Sequence, residues 1–188
     1  YVKVDFIFPL HSSEILLFAQ NKAFFESIGC GIIIPPESVV SLCINKDRFI
    51  NFLYRNGFKH PKIFKTQEEI NEFPVFIKPK VGSSSTGTAK ISSRDELDFF
   101  LKKDKNKYLI QEYVNWPEIT IDCYVNKNGF LVGFVPRFRL KVKDGKSIVG
   151  TTMYDENVLA VTKQLLESLG YKGACNVQMF YNNGDILI

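Results

Sequence analysis

Apolar positions along the chain recur with two different periods, and the switches between them divide it into elements. "VKVDFIFPL" (2–10) reads as a short buried strand ended by Pro9. "SSEILLFAQNKAFFESIG" (12–29) follows, with a serine cap, apolar residues at helical spacing and Gly29 as its stop. "CGIIIPP" (30–36) reads as a second short strand. Strand, helix, strand in that order suggests a parallel pair, a piece of an α/β layer. One such unit is too little to cover both faces of a sheet, so the sequence is read as beginning inside a domain.

Farther along, "NKDRFINFLYRNGFKHPKIF" (45–64) carries Phe49, Ile50, Phe52 and Leu53 at helical spacing and stops at Gly57. "EFPVFIKPK" (72–80) and "TAKIS" (88–92) alternate as strands on either side of a glycine loop. "SRDELDFFLKK" (93–103) is an amphipathic helix whose Ser93 stands three residues before Glu96, the spacing of a capping box. "KYLIQEYV" (107–114), "EITIDCYVNKNGFLVGFVPRFRLKV" (118–142) and "ACNVQMFYNNGDILI" (174–188) are strand-rich, and their Asn128-Gly129 and Asn183-Gly184 pairs predict hairpins. "MYDENVLAVTKQLLESLG" (153–170) predicts an amphipathic helix with Val158, Val161, Leu165, Leu166 and Leu169 inward and Gly170 as its stop.

Composition narrows the function classes. With 188 residues, 45% of them hydrophobic, and a net charge of +4, the chain can bury one large or two small cores. Apart from "LKKDKNKY" (101–108) the excess lysine is dispersed, which suits small anionic ligands better than nucleic acid. Cys30, Cys43, Cys123 and Cys175 form no C-x-x-C pair, and His11 and His60 lie elsewhere, so a zinc site is not expected. Reduced, mostly buried thiols in a cytoplasmic protein are. No stretch approaches 18 uncharged apolar residues, and no membrane partner is expected.

The stretch "VFIKPKVGSSSTGTAKI" (75–91) carries the clearest chemistry. Gly82 and Gly87 flank Ser83, Ser84, Ser85 and Thr86 as in a phosphate loop, but the lysine precedes the glycines instead of following them. Strand alternation sends Phe76 and Lys78 to one face and Val75 and Ile77 to the other, so Lys78 emerges just before the loop. A lysine delivered by a rigid strand can meet phosphate oxygens that the loop's N–H groups and hydroxyls also reach. A solvated strand-end lysine and a flexible Gly/Ser linker are the competing readings.

Five signals in order resemble the ATP-grasp family, and within it the carbamoyl phosphate synthase group and short stand-alone relatives. They are Lys46 eleven residues before Gly57; Pro74 to Pro79 with the Gly82–Gly87 loop; "LIQEYV" with Glu118 after it; the hairpin at Asn128-Gly129; and "NVQMF" (176–180). The resemblance implies an α/β (α+β) ATP-grasp fold with two lobes, preceded by the last part of a pre-ATP-grasp α/β domain. It divides the chain into 1–40, the end of that N-terminal domain; 41–114, a small lobe with the glycine-rich lid; and 115–188, a larger antiparallel lobe. The family's "E-x-N-P-R" turn is absent after "GDILI", so a fragment truncated at both ends, inactive by itself, is expected.

The same resemblance implies roles. Lys46 and Lys78 would contact phosphates beneath the lid formed by Gly82, Ser83, Ser84, Ser85 and Gly87. Adenine would lie against the backbone of Glu112, Tyr113 and Val114, and Glu118 would take ribose hydroxyls, Trp116 being a packing residue at the hinge. Gln178 would be an Mg²⁺ (or Mn²⁺) ligand, a poor site by itself. Arg137 and Arg139, alternate residues of one strand, would approach the phosphates or the acyl phosphate. Plain surface roles compete for Lys46, Glu118 and the arginine pair, and a buried structural amide competes for Gln178. The implied activity is ATP-dependent activation of a carboxylate or bicarbonate as an acyl phosphate for attack by an amine. Implied partners are ATP, that acceptor, and a second copy or another subunit. A nucleotide-binding or regulatory module without catalysis is the alternative.

Overall fold

A computed structural model describes residues 3–82, 85–102, 104–143 and 145–188. The chain forms two compact units, one comprising Tyr1–Cys43, Thr120–Pro136 and Thr152–Val177, the other Ile44–Ile119, Arg137–Thr151 and Gln178–Ile188.

In the first unit, β1 (Phe6–Ile7) pairs in parallel with β2 (Gly31–Ile32), as the strand–helix–strand order predicts. The single helix expected between them is two: α1 (Ser12–Gln20) and α2 (Lys22–Ser27). Asn21 breaks it, because its side-chain amide donates to the Leu17 carbonyl at 2.8 Å and its ψ of 10° leaves the helical region. The cap of α1 also differs from expectation, since the His11 ring, not a serine, accepts from the Ser13 N–H. A further helix, α3 (Glu37–Ile44), follows the proline pair.

The second unit begins with α4 (Lys46–Arg55), capped by the Asn45 side chain, which accepts from the Arg48 N–H at 3.1 Å. Then come β3 (Ile63–Phe64), β4 (Val75–Pro79), β5 (Ala89–Ile91), α5 (Arg94–Leu101) and β6 (Tyr108–Glu112). Their four strands lie in the order β3-β6-β4-β5, so the late strand β6 inserts between two earlier ones. One face of this sheet packs a core of Ile70, Val75, Ile77, Ile91, Leu97, Leu101 and Ile110. Leu97 is fully buried there, worth about 1.5–3 kcal/mol by transfer of its side chain from water. The capping box at α5 forms with a one-residue offset: Ser93 accepts from the Glu96 N–H, while Glu96 reaches the N–H of Ser92.

The remaining strands are β7 (Glu118–Val125), β8 (Leu131–Lys143), β9 (Lys146–Thr152), β10 (Gly173–Asn182) and β11 (Asp185–Leu187). They form a five-stranded sheet in the order β11-β10-β7-β8-β9. Asn183 and Gly184 at the β10–β11 turn both have positive φ (48° and 95°), as a two-residue type I′ hairpin requires. Helix α6 (Glu156–Leu169) starts at Asp155, which accepts from the N–H groups of Asn157 and Val158, and ends at Gly170 in the left-handed region. Replacing Asp155 with Ala should therefore cost about 0.5–2 kcal/mol, read as a lowered urea midpoint at unchanged slope.

Candidate functional site

Strand β4 carries the centre of the site. Its register pairs Phe76 with Gln111 and Lys78 with Leu109 on β6, and Phe76 with Lys90 on β5. Directly opposed residues share a face, so Phe76, Lys78, Lys90, Leu109 and Gln111 lie on the face opposite the apolar core. The alternation read from the sequence holds: Val75 and Ile77 are buried in the core and Lys78 is on the other side.

Several backbone contacts fix the end of this strand against the start of α4. The Lys46 N–H donates to the Lys80 carbonyl at 2.8 Å, Asn45 bridges Val81, and Lys80 donates its own N–H to Lys107. The Lys80 ammonium pairs with Asp47 at 2.8 Å. Lys46 reaches across to the loop, donating from Nζ to the Gly82 carbonyl at 2.8 Å. The loop's other end is equally constrained: Gly87 has φ of 75°, and a Cβ there would lie 3.1 Å from Cγ of Pro79. Ser85 has φ of 55° and its carbonyl accepts from the Thr88 hydroxyl at 2.9 Å. Ser83 and Ser84 lie outside the described residues.

Lys78 is half-buried, and among the described residues its ammonium has no hydrogen bond or ion pair. Burial first, and the positive charge of Lys46 second, lower its pKa from 10.5 to about 8. Lys46 is lowered as well, by desolvation. Two cations near one another with no anion between them make a site for an anionic ligand, which would repay both penalties.

The predicted base-contacting segment follows β6. Glu112 is already engaged with Lys62, donating its N–H at 2.9 Å and accepting at Oε1 from the Lys62 N–H at 2.7 Å. Tyr113 and Val114 make no backbone hydrogen bond with another described residue. The Lys90 ammonium sits over the Tyr113 ring, 4.3 Å from its centroid.

A separate cluster gathers three predicted residues, joined differently from expectation. The Arg139 guanidinium donates to the Glu118 carboxylate, to Oε1 of Gln178 at 3.3 Å and to the Gly145 carbonyl at 2.7 Å. Arg139 is 6% exposed and Glu118 44%. Arg137 lies two residues away on β8, half-buried. The oxygens expected to meet ribose and metal thus face a guanidinium. One neutral amide oxygen and one carboxylate, both bonded to a cation, are not a donor set for a hard divalent ion. Among the described residues no group of three or more His, Cys, Asp or Glu is placed to hold a metal.

A groove of about 440 Å³ opens elsewhere on this unit, lined in part by Asp47, Phe64, Lys65, Lys80 and Tyr108. It contains none of the predicted site residues, and its mixed charges define no single ligand. Sequence reading missed the Lys80–Asp47 pair, the Gly145 contact and Gln111. The last had a signal, a lone amide in the middle of the apolar run "YLIQ". The cysteines are free; Cys30 and Cys123 are buried, Cys175 half-buried and Cys43 exposed, which makes them less uniformly internal than expected.

The chain is an α/β domain whose sheet presents a half-buried lysine beside a glycine-rich loop, an arrangement able to hold an anion. Residues 43–188 match the family model described as "ATP-grasp domain", and the chain belongs to the ATP-grasp family. The carbamoyl phosphate synthase large chain of Clostridium beijerinckii is 27% identical over 173 residues, covering 79% of this chain and 16% of that protein. The D-alanine--D-alanine ligase of Petrotoga mobilis is 37% identical over 100 residues, covering 50% of this chain and 32% of the ligase. In structure, a biotin carboxylase complex with beta-gamma-ATP from Campylobacter jejuni superposes with a TM-score of 0.80 at 14% identity, over 97% of this chain and 47% of that one. The chain therefore spans less than half the length of each of these relatives.

The lowered pKa fixes the sign of two pH effects. A lysine whose folded pKa lies below its unfolded value destabilises the fold while charged in both states, and the penalty fades as pH rises from about 8 toward 10.5. Lys78→Met should therefore raise the urea midpoint at pH 7, with the gain shrinking over that range. Anion affinity should run the other way. Calorimetric affinity for ADP should fall above pH 8, approaching about tenfold per unit, since one proton is linked to binding. Lys78→Arg, whose guanidinium stays charged, should flatten that profile.

Proposed function

We propose that this chain is the nucleotide-gripping part of an ATP-grasp ligase that activates a carboxylate or bicarbonate as an acyl phosphate, for attack by an amine or similar nucleophile. The observation that carries the reading is the Lys78 ammonium, desolvated and without a described counterion at the end of β4, beside a loop tethered through Lys46. Polyphosphate is the ligand class that satisfies both lysines and the loop N–H groups at once. Tyr113 and Val114, with backbone groups not engaged by described residues, suit the donor and acceptor edge of adenine. Lys78 would neutralise charge as phosphoryl transfer proceeds, and the loop would exclude water. No side chain is required as a covalent nucleophile.

ATP with Mg²⁺ or Mn²⁺ is the cofactor proposed, and any divalent ion would be carried chiefly by the nucleotide. Glu118 and Gln178 must leave Arg139 before they can serve ribose or metal, and Arg139 would then be released toward the transferred phosphate with Arg137. That engagement favours one second reading, in which the chain binds nucleotide without catalysing transfer.

The two readings separate in one experiment. MgADP and MgATP at millimolar levels should raise the thermal midpoint by mass action, and Lys78→Ala should weaken ADP binding about 10- to 100-fold, as expected for loss of a charged hydrogen-bond donor. ATP-dependent trapping of hydroxamates by hydroxylamine, screened over bicarbonate and small carboxylic acids, would then report acyl phosphate formation. Nucleotide binding with no hydroxamate and no acceptor-dependent ADP release supports the non-catalytic reading; no thermal shift from either nucleotide removes both.

A further inference from the structure

Three of the four cysteines come together within the first unit, and the nucleotide reading uses none of them. Cys123 lies on β7 and Cys175 on β10, neighbouring strands of the five-stranded sheet. Two contacts set their register: the Tyr181 N–H donates to the Pro117 carbonyl at 2.9 Å, and the Asn176 amide donates to the Asp122 carboxylate at 2.7 Å. In the antiparallel ladder that both contacts obey, Cys175 stands directly opposite Cys123. The backbone bond at Tyr181 makes every second pair from there, Cys123 with Cys175 included, one that exchanges ladder hydrogen bonds, with Cα atoms about 5.5 Å apart. A disulfide spans about 4.4–6.8 Å between Cα atoms, so the strands already hold the two thiols within reach of an S–S bond. Asn176 bonds Thr120 and Asp122 on one face of the sheet, which leaves the two thiols together on the other.

The thiols are hydrogen-bonded to each other, and that bond lowers the pKa of Cys123 and, ahead of burial, raises that of Cys175. Cys175 is thus the proton donor and Cys123 the nucleophile. Desolvation and the Asp122 charge oppose the lowering at Cys123 without reversing it. Cys123 is 5% exposed, which keeps a bulky disulfide reagent away, while half-buried Cys175 opens one side of the pair to a small one. Tyr171, whose hydroxyl donates to the Ala174 carbonyl at 3.0 Å, flanks Cys175, and Cys43 on α3 is the third thiol nearby.

We propose that Cys123 and Cys175 are a peroxide-oxidised dithiol, a modification site that closes into a cross-strand disulfide between β7 and β10. The Cys123 sulfur attacks one oxygen of hydrogen peroxide and breaks the O–O bond, and the departing hydroxide takes up the Cys123 proton as water. The Cys175 sulfur then displaces the hydroxyl of the sulfenic acid, and the Cys175 proton leaves with that hydroxyl as a second water. Two thiols are oxidised to one disulfide, and one peroxide is reduced to two waters. The inference is independent of the nucleotide reading.

The test treats the full chain, first reduced and then freed of reductant, with a modest excess of hydrogen peroxide, alkylates it, and maps linked peptides by mass spectrometry without reduction. The thiol count in denaturant should fall from four to two, with Cys123 joined to Cys175 and with Cys30 and Cys43 alkylated. The thermal midpoint should rise by about 5–15 °C, because the bond closes a long loop in the unfolded chain, and should return on addition of dithiothreitol. Cys175→Ser, which keeps a hydroxyl donor beside Cys123, should abolish both the link and the rise and leave on Cys123 a sulfenic acid that dimedone traps. Cys43→Ser should form the link as the wild type does. Four surviving thiols, a bond from Cys43 to Cys175 in place of the proposed one, or bonds only between separate chains would each overturn the proposal, as would sulfinic acid on Cys123 with no link. The wild-type peptide map decides by itself should either variant fold poorly.

Discussion

An ammonium partly removed from water is stabilised by an anion, and among the described residues Lys78 pairs with none. The strand that carries it could have been written with an apolar residue at no cost to the core, since the side chain points away from Ile77 and Ile91. Instead the end of β4 is bound to the start of α4 through the Lys46 N–H and the Asn45–Val81 bridge, and the nearest acidic side chain in that turn, Asp47, is committed to Lys80. Neutralising Lys80 in this way leaves the charge of Lys78 uncompensated. The result is a local potential that costs stability in the empty protein and that an anionic ligand, if bound as proposed, would relieve, the usual exchange between stability and function.

The cluster around Arg139 is organised on the opposite principle. There a nearly buried guanidinium donates through its two terminal nitrogens to a carboxylate, an amide oxygen and a backbone carbonyl, while its Nε has no partner among the described residues. Arginine suits that arrangement because its planar fork holds several acceptors and never sheds its proton. The two clusters divide the labour between a poised charge and a paired one. They also separate two statements about function. The family is secure; the proposed nucleotide binding rests on the first cluster, whereas the proposed catalysis would require rearranging the second.

Much of this was legible in the amino-acid order, and the parts that were not share a cause. Local signals were read correctly: Asn183-Gly184 for a two-residue turn, Ser93 and Glu96 for a helix start, Gly170 for a helix stop, and the alternation that sends Lys78 away from the core. Each depends on a few neighbouring residues and on backbone preference. What was missed depends on pairing between distant segments. Nothing near β6 says that it lies between β3 and β4, and only that placement puts Gln111 opposite Phe76. Likewise Glu118, Arg139 and Gln178 sit on three different strands, so their mutual bonds could not be read from any one of them. The break at Asn21 is a smaller lesson: helical spacing continued through it, and a side-chain hydrogen bond decided the matter.

The two clamps on the glycine loop, Lys46 at the Gly82 carbonyl and Pro79 against Gly87, have a consequence for its length. With both ends held, the entropy cost of the segment between them grows only with the logarithm of its length. Inserting one or two glycines would scarcely affect folding, yet on the proposed reading it would displace the loop from the phosphates. Loop length is therefore a dial on which the proposed ligand grip could be tuned almost independently of the scaffold.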